Sequence, residues 1–264
     1  MIPALSIIVP TYNERDRLSE LVTAVLDACA RERVAAEVVV VDDHSPDGTG
    51  ELADALARMH PVRVVHRPGK LGLGSAVIDG FNLASAPIVG VIDADMSHPP
   101  ALLPRMLMVM QQADADFVIG SRYVPGGGFH NWSLVRLMLS RLACLLAMPL
   151  TPVRDATSGL FLIRRELARD VRIAAGGFKI CLELLIRSRP RRVIEVPYVF
   201  EGRTAGESKM NAAEALGYLV QLRNLRRFRR DHRAAAPEYA ALTAAERDGA
   251  VWRRGSSDGV QRSG

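Results

Sequence analysis

The sequence predicts an α/β fold in which a mostly parallel central sheet is covered by helices on both faces, as in Rossmann-like domains. Two observations over residues 1–122 lead to this prediction. Short runs of β-branched residues alternate with segments of helical periodicity. The strand-like runs are apolar along their whole length, which is typical of parallel strands buried on both faces. Alternating strands and helices then favour a doubly wound sheet.

The elements of this first half follow one another between turn residues. Five strands are expected at residues 4–10, 37–43, 62–66, 87–93 and 116–122. Four helices are expected between them, within residues 13–33, 48–59, 73–85 and 100–113. In such sheets, ligands bind beyond the carboxyl ends of the strands. Functional residues should therefore lie directly after the strand-like runs.

The remainder of the chain departs from this alternation. We expect an apolar helix over 132–148, a helix over 178–188, a strand over 192–200 and a last helix after GESKMN (206–211). The simplest interpretation is one domain over 1–222, in which the regular alternation of strands and helices ends at residue 122. Residues 223–264 are expected to form a basic helix end and a disordered tail.

Composition and charge exclude several classes of protein. The three cysteines lie far apart and form no Cys/His cluster, which argues against a disulfide framework or a zinc site and suits a reducing cytoplasm. The first residues lack the basic segment of a signal peptide, and no stretch reaches the roughly 18 apolar residues of a spanning helix. Much of the net charge of +5 comes from RNLRRFRRDHR (223–233), which suits anionic lipid or nucleic acid.

Asp93 and Asp95 directly follow a strand-like run and are separated by one residue. Residues i and i+2 of an extended chain point to the same side, so two like charges would meet beside an apolar wall. A bound divalent cation removes this conflict. Carboxylate oxygens without histidine or cysteine favour Mg²⁺ or Mn²⁺, with a diphosphate as the natural partner. The alternative is a strand-end turn in which each aspartate caps a helix.

A second acidic strand end, Asp42 and Asp43, is expected to bind a ribose hydroxyl or a base edge. The alternative is a turn over residues 45–48, in which one of these carboxylates satisfies backbone N–H groups. Tyr12, at the end of the first strand, offers a ring that can stack on a nucleobase. The segment GKLGLGSA (69–76) resembles a phosphate-binding loop but lacks the Walker ending, so we reject a P-loop.

Several basic residues follow the fifth strand and the irregular segments after it, namely Arg122, Arg136, Arg141, Arg203 and Lys209. Arginine forks suit phosphate oxygens, whereas the alternative for any one of them is a surface ion pair. The apolar face of the helix over 132–148 is interpreted by default as core packing. The other interpretation is an interfacial helix in the headgroup layer of a membrane, with Trp132 at the boundary.

The order of these motifs resembles the polyprenol-phosphate (dolichol-phosphate) mannose synthases. These are inverting, metal-dependent family 2 glycosyltransferases with a nucleotide-diphospho-sugar (GT-A type) fold. The motifs VPTYNE, VVDDHSPDGT, GKLGLGSA, DADMSHPP, GSRY, DATSG and GESKM carry the resemblance, which runs from about residue 5 to residue 222. It implies a nucleotide-sugar-binding half over 1–122 and an acceptor-binding part over 123–222.

The resemblance also implies roles for individual residues. Binding of the GDP-mannose donor is assigned to Pro10, Tyr12, Glu14, Val41, Asp43, Asp93, Ala94, Asp95, Lys179, Arg203 and Lys209. The divalent cation, Mg²⁺ or Mn²⁺, is assigned to Asp93, Asp95 and Ser97. The acceptor phosphate is assigned to Arg122, Arg136, Ser140 and Arg203. Asp95 and Arg122 are the implied catalytic residues.

The implied reaction transfers mannose from GDP-mannose to a polyprenyl monophosphate with inversion, giving a β-linked lipid-phosphate mannose. The second ionisation of a phosphate monoester lies near pH 6, so the acceptor is already a nucleophile at neutral pH and needs no general base. A lipid acceptor implies peripheral contact with the anionic cytoplasmic face of a membrane, and a separate membrane subunit is a further expected partner.

Two departures from the pattern concern the site. Some relatives have glutamine where this chain has Ser97, which suggests weaker or water-mediated metal binding. Relatives often have aspartate where this chain has Gly202, before Arg203, which suggests a looser orientation of the arginine.

Other readings stay open. One is a related transferase that uses UDP-glucose or a non-lipid acceptor. Another is a catalytically silent nucleotide-sugar-binding subunit. A nucleic-acid binder acting through the arginine-rich segment is not expected, because the sequence contains no aromatic-rich platform.

Overall fold

The computed structural model describes residues 2–169, 171, 173, 179–202, 212–232 and 235–249 of the 264-residue chain. Nine helices are found in these residues: α1 Arg15–Arg31, α2 Thr49–Ala57, α3 Leu73–Leu83, α4 Leu102–Gln112, α5 Leu134–Ala147, α6 Arg165–Arg169, α7 Ile180–Arg187, α8 Ala212–Asp231 and α9 Ala244–Gly249. The predicted helices of the first half are confirmed to within a few residues at each end.

Eight strands form the central sheet: β1 Leu5–Thr11, β2 Ala36–Asp42, β3 Val62–His66, β4 Ile88–Val91, β5 Phe117–Ser121, β7 Phe161–Arg164, β8 Arg192–Pro197 and β10 Glu238–Ala241. Their order is β10-β8-β5-β7-β4-β1-β2-β3. Strand β7 pairs antiparallel with both β4 and β5, and the other pairs are parallel. The predicted α/β class with a mostly parallel sheet is confirmed.

Helices cover both faces of this sheet. Successive strand residues face opposite sides, so Ile7 belongs to a core shared with α1, α2 and α4, whereas Ile8 belongs to a second core with α3 and α7. The apolar runs of the sequence therefore fill two cores at once, which explains why they show no alternation.

A second, two-stranded sheet lies in the C-terminal half. Strand β6, Gly128–His130, pairs parallel with β9, Val199–Glu201. The single strand expected over 192–200 is thus divided into β8 and β9 around Tyr198. A side chain at Gly202 would be blocked, since its Cβ would lie 2.7 Å from the carbonyl oxygen of His130.

Two expectations for the C-terminal half were wrong. Most of the large apolar side chains of α5 lie outside the core: Leu134 is 78% and Met138 70% exposed, whereas Ala147 belongs to the second core and Leu146 packs against it. Part of the expected disordered tail is ordered, since residues 238–241 pair with β8 and Leu242 belongs to the first core. The sequence of β10, EYAA, is too short and too weakly apolar to show a strand pattern.

None of the helices within the described ranges has both the length and the apolar character needed to cross a bilayer.

Candidate active site

The carboxyl ends of four parallel strands bring the predicted site residues to one edge of the sheet. Asp93 and Asp95 follow β4, and Arg122 follows β5. These three residues line a cavity of about 1650 Å³, together with Lys179 and residues 71–75, which lead into the first turn of α3. Burial and the charge of Arg122 lower the pKa of Lys179, and the negative charge of Asp93 partly opposes them. The cavity therefore combines anionic and cationic groups at short range.

Asp93 is held by a histidine that was left unassigned at the level of sequence. The Nε2 atom of His98 lies 3.0 Å from Oδ2 of Asp93, and the hydroxyl of Tyr198 lies 2.9 Å from Nδ1 of His98. Gly159 permits this arrangement, because a Cβ there would lie 2.5 Å from Oδ2 of Asp93. Since burial raises the pKa of Tyr198, its hydroxyl keeps its proton and can donate to His98. One face of the Asp93 carboxylate is thereby fixed.

Asp95 is held by the turn that follows it. The backbone N–H of Ser97 donates to Oδ1 of Asp95 at 3.0 Å, and the Ser97 hydroxyl donates to the same oxygen. Ser97 is buried, so the structure places it as a support for Asp95. Its expected role as a metal ligand stays a prediction.

The donor set at this strand end fits a hard divalent cation. No group of three or more His, Cys, Asp or Glu side chains with metal-site geometry is found in the described part of the chain. Mg²⁺, however, usually takes one or two carboxylates and completes its shell with water and substrate phosphates. Asp93 and Asp95 both line the cavity and supply those carboxylates.

Arg122 forms a buried pair with Asp155, a residue for which the sequence predicted no role. The guanidinium Nε and Nη2 atoms each donate to Asp155 at 2.7 Å, and the Arg122 backbone N–H donates to Oδ2 at 2.9 Å. Burial would lower the pKa of Arg122, but the charge and hydrogen bonds of Asp155 raise it above its ordinary value. Arg122 is therefore a fixed cation at the cavity wall.

Aromatic rings surround this cation. The Cζ atom of Arg122 lies 5.6–5.8 Å from the ring centroids of Tyr123, Phe129, Trp132 and Phe200. Arg136 lies over Trp132 with its Cζ atom 4.2 Å from the ring centroid, and both residues line the cavity with Ser140. The predicted acceptor residues Arg122, Arg136 and Ser140 are thus brought together.

The same cavity has an apolar wall. Helices α5 and α8 pack against each other, with the Tyr218 hydroxyl donating to the carbonyl of Ala143 at 2.7 Å. The apolar side chains that they contribute are Val135, Leu139, Leu142, Leu146 and Leu219. Charged groups and a hydrocarbon surface therefore lie within one cavity.

The two neighbouring acids at the end of β2, Asp42 and Asp43, have different environments. Asp42 accepts hydrogen bonds from Thr11 and from the backbone and hydroxyl of Ser45, which is the turn role considered as the alternative. Asp43 instead pairs with the buried Arg67 and accepts from the Gly72 N–H at 3.2 Å. Asp43 therefore ties the loop over residues 69–72, before α3, to the sheet.

The other expected nucleotide residues lie beside this loop. Tyr12 is partly exposed, and the Nζ atom of Lys70 lies 4.0 Å from its ring centroid. The side chain of Val41 is buried in the second core, so only its backbone can reach a nucleotide. The backbone of Glu14 donates to Thr49 at 3.1 Å. The assignments of Pro10, Tyr12, Glu14, Val41, Asp43 and Ala94 to the donor stay predictions.

Two expected residues, Arg203 and Lys209, lie outside the described residues. Four residues with evident structural roles at the site were missed from the sequence: Arg67, His98, Asp155 and Tyr198. His98 and Asp155 lie in the motifs DADMSHPP and DATSG, which carried the resemblance, but only the fold shows which side chains they contact.

Comparisons with known proteins agree with this geometry. The family model described as Glycosyl transferase family 2 matches residues 6–172. A dolichol-phosphate mannosyltransferase of Pyrococcus furiosus is 40% identical over 225 residues, which cover 84% of this chain and 63% of that protein. The chain thus spans less than two thirds of that relative's length.

A polyprenol monophosphomannose synthase of Mycolicibacterium smegmatis is 41% identical over 219 residues, which cover 78% of this chain and 81% of that protein. A solved mannosyltransferase from Pyrobaculum calidifontis, in complex with GDP-Man and Mn²⁺, has a TM-score of 0.60 at 22% identity, over 89% of this chain and 66% of that chain. The likeness confirms the nucleotide-diphospho-sugar transferase fold.

Proposed function

The chain belongs to glycosyl transferase family 2, and from this premise we propose that it transfers mannose from GDP-mannose to a polyprenyl monophosphate, with inversion at the sugar. The observation that carries this proposal is the single cavity lined by Asp93, Asp95 and Arg122 and by the apolar side chains of α5 and α8. A sugar nucleotide needs the charged groups, and an isoprenoid chain needs the apolar wall. The names of the relatives point to mannosyl transfer onto a polyprenyl-type phosphate, and the solved mannosyltransferase that binds GDP-Man supports the donor.

Asp93 and Asp95 are the residues that would hold a divalent cation, Mg²⁺ or Mn²⁺. When bound, such a cation neutralises charge on the diphosphate leaving group. The protein's own contribution is to keep both carboxylates in place. His98 and Tyr198 orient Asp93, and the turn at Ser97 orients Asp95.

The acceptor phosphate is the nucleophile, and it carries its own negative charge near neutral pH. The main difficulty is therefore to bring two anions together. Arg122 and Arg136 lie on the wall of the cavity, and Lys179 adds a third cation. Fixed cations at this position lower the cost of the approach and stabilise the transition state. Attack from the side opposite the diphosphate gives the β-anomer.

The exposed apolar surface of α5 and α8 is proposed to dock on an anionic bilayer at the cytoplasmic face. Its members are Leu134, Val135, Met138, Leu142, Leu145, Leu216, Leu219 and Val220. The C-terminal half of α8 adds exposed arginines at positions 223, 226, 227, 229 and 230. Apolar side chains beside a cationic helix end suit an interfacial position. The bilayer would also be the source of the acceptor.

The test is an assay with purified protein, Mg²⁺, a short polyprenyl phosphate and radiolabelled GDP-mannose or UDP-glucose. We expect label to enter the organic phase from GDP-mannose alone, and to stay in the aqueous phase after EDTA. Release of GDP without labelled lipid would reject the acceptor. Transfer from UDP-glucose would reject the donor, and consumption of neither donor would favour a silent binding subunit.

A further inference from the structure

We infer that the C-terminal strand β10 positions the acceptor-phosphate site, and that it acts through the hydrogen bond from Tyr239 to Glu195. The inference rests on the proposed function, because it concerns how Arg122 meets the acceptor. It adds a role for a segment that lies beyond the region of motif resemblance, which ends near residue 222.

The first step of the connection is a buried carboxylate in β8. Glu195 is fully buried, and Oε2 accepts from the Tyr239 hydroxyl at 2.6 Å. Burial and the charge of Glu195 raise the pKa of Tyr239, so the phenol keeps its proton and donates. Because a buried carboxylate is costly without donors, Glu195 depends on this hydrogen bond together with one from Ser121 and two from backbone N–H groups.

The second step joins Glu195 to the loop that carries Asp155. Oε1 of Glu195 accepts from the Asp155 N–H at 2.9 Å, and Oε2 accepts from the Arg154 N–H at 2.8 Å. These two bonds set the backbone of the loop. The Asp155 carboxylate in turn holds the side chain and backbone N–H of Arg122.

A second contact of the C-terminal segment is made by α9, which reaches the turn that follows Arg122 in the chain. Helix α9 packs on the turn that follows β5, where a Cβ on Gly126 would lie 2.7 Å from the Cβ of Ala244. Gly126 has a φ of +87°, a conformation that side chains disfavour. The C-terminal segment therefore reaches the Asp155 loop through Glu195, and it contacts the turn that directly follows Arg122.

The test compares Tyr239→Phe with a matched control, Glu238→Ala, in the full chain. Tyr239→Phe keeps the ring and removes only the hydroxyl, which bonds to Glu195 and to the side chain of Arg154. Glu238→Ala removes an exposed ion pair between the same strand and Arg192 without touching Glu195. Steady-state kinetics are measured with each substrate varied, and thermal unfolding is recorded for every variant.

We expect Tyr239→Phe to lower kcat/KM for polyprenyl phosphate at least about tenfold. The substitution displaces Arg122, which then contacts the acceptor phosphate less well in the transition state. KM for GDP-mannose should stay within about twofold, and Glu238→Ala should match the wild type. Wild-type acceptor kinetics in Tyr239→Phe would overturn the inference. A common loss of thermal stability in both variants, with unchanged kinetics, would also overturn it, since β10 would then only close the sheet edge.

A readout that does not need turnover separates this inference from the proposed function. Trp252→Phe leaves Trp132 as the single tryptophan, 5.6 Å from Cζ of Arg122. Inorganic phosphate is titrated against Trp132 fluorescence in this background. Phosphate binding at least about fivefold weaker with Tyr239→Phe supports the inference even if GDP-mannose is not the donor; equal binding overturns it, whatever the donor.

Discussion

Three residues at the active edge of the sheet have left-handed backbone without being glycine. Asn13, His44 and Met96 follow β1, β2 and β4, with φ values of 59°, 62° and 62°. Such a conformation costs free energy for residues with a side chain, and it persists where the surroundings require it. Here it turns the chain sharply after each strand, so that Asp95 is followed at once by the Ser97 N–H that holds it.

Asp95 gives the most direct test at the scale of a single residue. Asp95→Ala should reduce turnover at least about 100-fold, as expected for loss of a group that stabilises charge in the transition state. It should also weaken Mn²⁺ binding to the GDP complex, measured by electron paramagnetic resonance. Asp54→Ala, which removes an exposed carboxylate paired with His66, is the control. Turnover within about threefold of the wild type would contradict the assignment.

Arg122→Ala is also expected to abolish turnover, but it leaves Asp155 buried without its partner. Removing one member of a buried pair costs roughly 3–5 kcal/mol. The kinetic result for this variant must therefore be read together with its melting temperature.

Substitution of Lys179 is expected to have opposite effects on stability and on activity. Burial and Arg122 lower its pKa, so the unfolded state binds the proton more tightly than the folded state. The resulting penalty is present at neutral pH and is relieved as the pH rises toward the ordinary lysine value. Lys179→Met should therefore raise the melting temperature at pH 7, by about 2–4 °C per kcal/mol recovered, while activity falls. A lower melting temperature at pH 7 would contradict this.

At the scale of the element, α5 exposes a row of large apolar side chains along most of its length. Most of its large apolar side chains face outward, although its N-terminus is well formed, with the Ser133 side chain accepting from the Arg136 N–H. An apolar surface of this extent on a folded protein commonly marks a contact with a partner or a membrane.

Met138→Glu tests the membrane contact of α5. The substitution should reduce sedimentation with anionic liposomes, because a carboxylate in the interfacial layer is repelled by lipid headgroups and loses apolar burial. Met59→Glu is the matched control, since Met59 is 71% and Met138 70% exposed and Met59 lies after α2, away from α5. Equal sedimentation of both variants and the wild type would reject this surface.

A second prediction at the scale of the element concerns Gly202, which follows β9 and packs against the end of β6. A Cβ at this position would lie 2.7 Å from the His130 carbonyl and 2.8 Å from that of Asn131. Gly202→Ala should lower the melting temperature by several degrees, since the backbone must shift. Gly128→Ala, in the same small sheet, is the control, because its nearest neighbour would be 4.0 Å away. An unchanged melting temperature for Gly202→Ala would contradict the prediction.

At the scale of the whole molecule, charge and apolar surface lie on adjoining elements. The exposed arginines lie in the C-terminal half of α8, and the N-terminal half of the same helix lines the cavity. Because β10 follows α8 and joins the central sheet, deletion of everything after residue 222 would damage the fold. Substitution of the exposed arginines of α8 is therefore the sharper experiment.

Replacing Arg223, Arg226 and Arg227 by glutamine should weaken binding to anionic liposomes. Each arginine near an anionic surface contributes about 1 kcal/mol. The dependence of binding on salt should fall in parallel, while turnover of a short, water-soluble acceptor should be unchanged. Arg229 is kept, because it donates to the carbonyl of Pro149 and supports the helix. Unaltered liposome binding would reject the electrostatic part of the docking.

The sequence by itself determined the first five strands, the four helices between them and the position of Asp93 and Asp95 at a strand end. These features follow from local periodicity and turn residues, which each segment carries alone. The motif order was also sufficient to identify the family, which the comparisons confirm.

Only the tertiary structure decided which side chains act together. Arg122 meets Asp155 across 33 residues, Glu195 meets Tyr239 across 44, and His98 meets Tyr198 across 100. The same holds for the outward face of α5 and for the strand β10, whose four residues show no pattern of their own. Such pairings depend on how distant elements pack, and a local sequence pattern carries no information about a partner that lies so far along the chain.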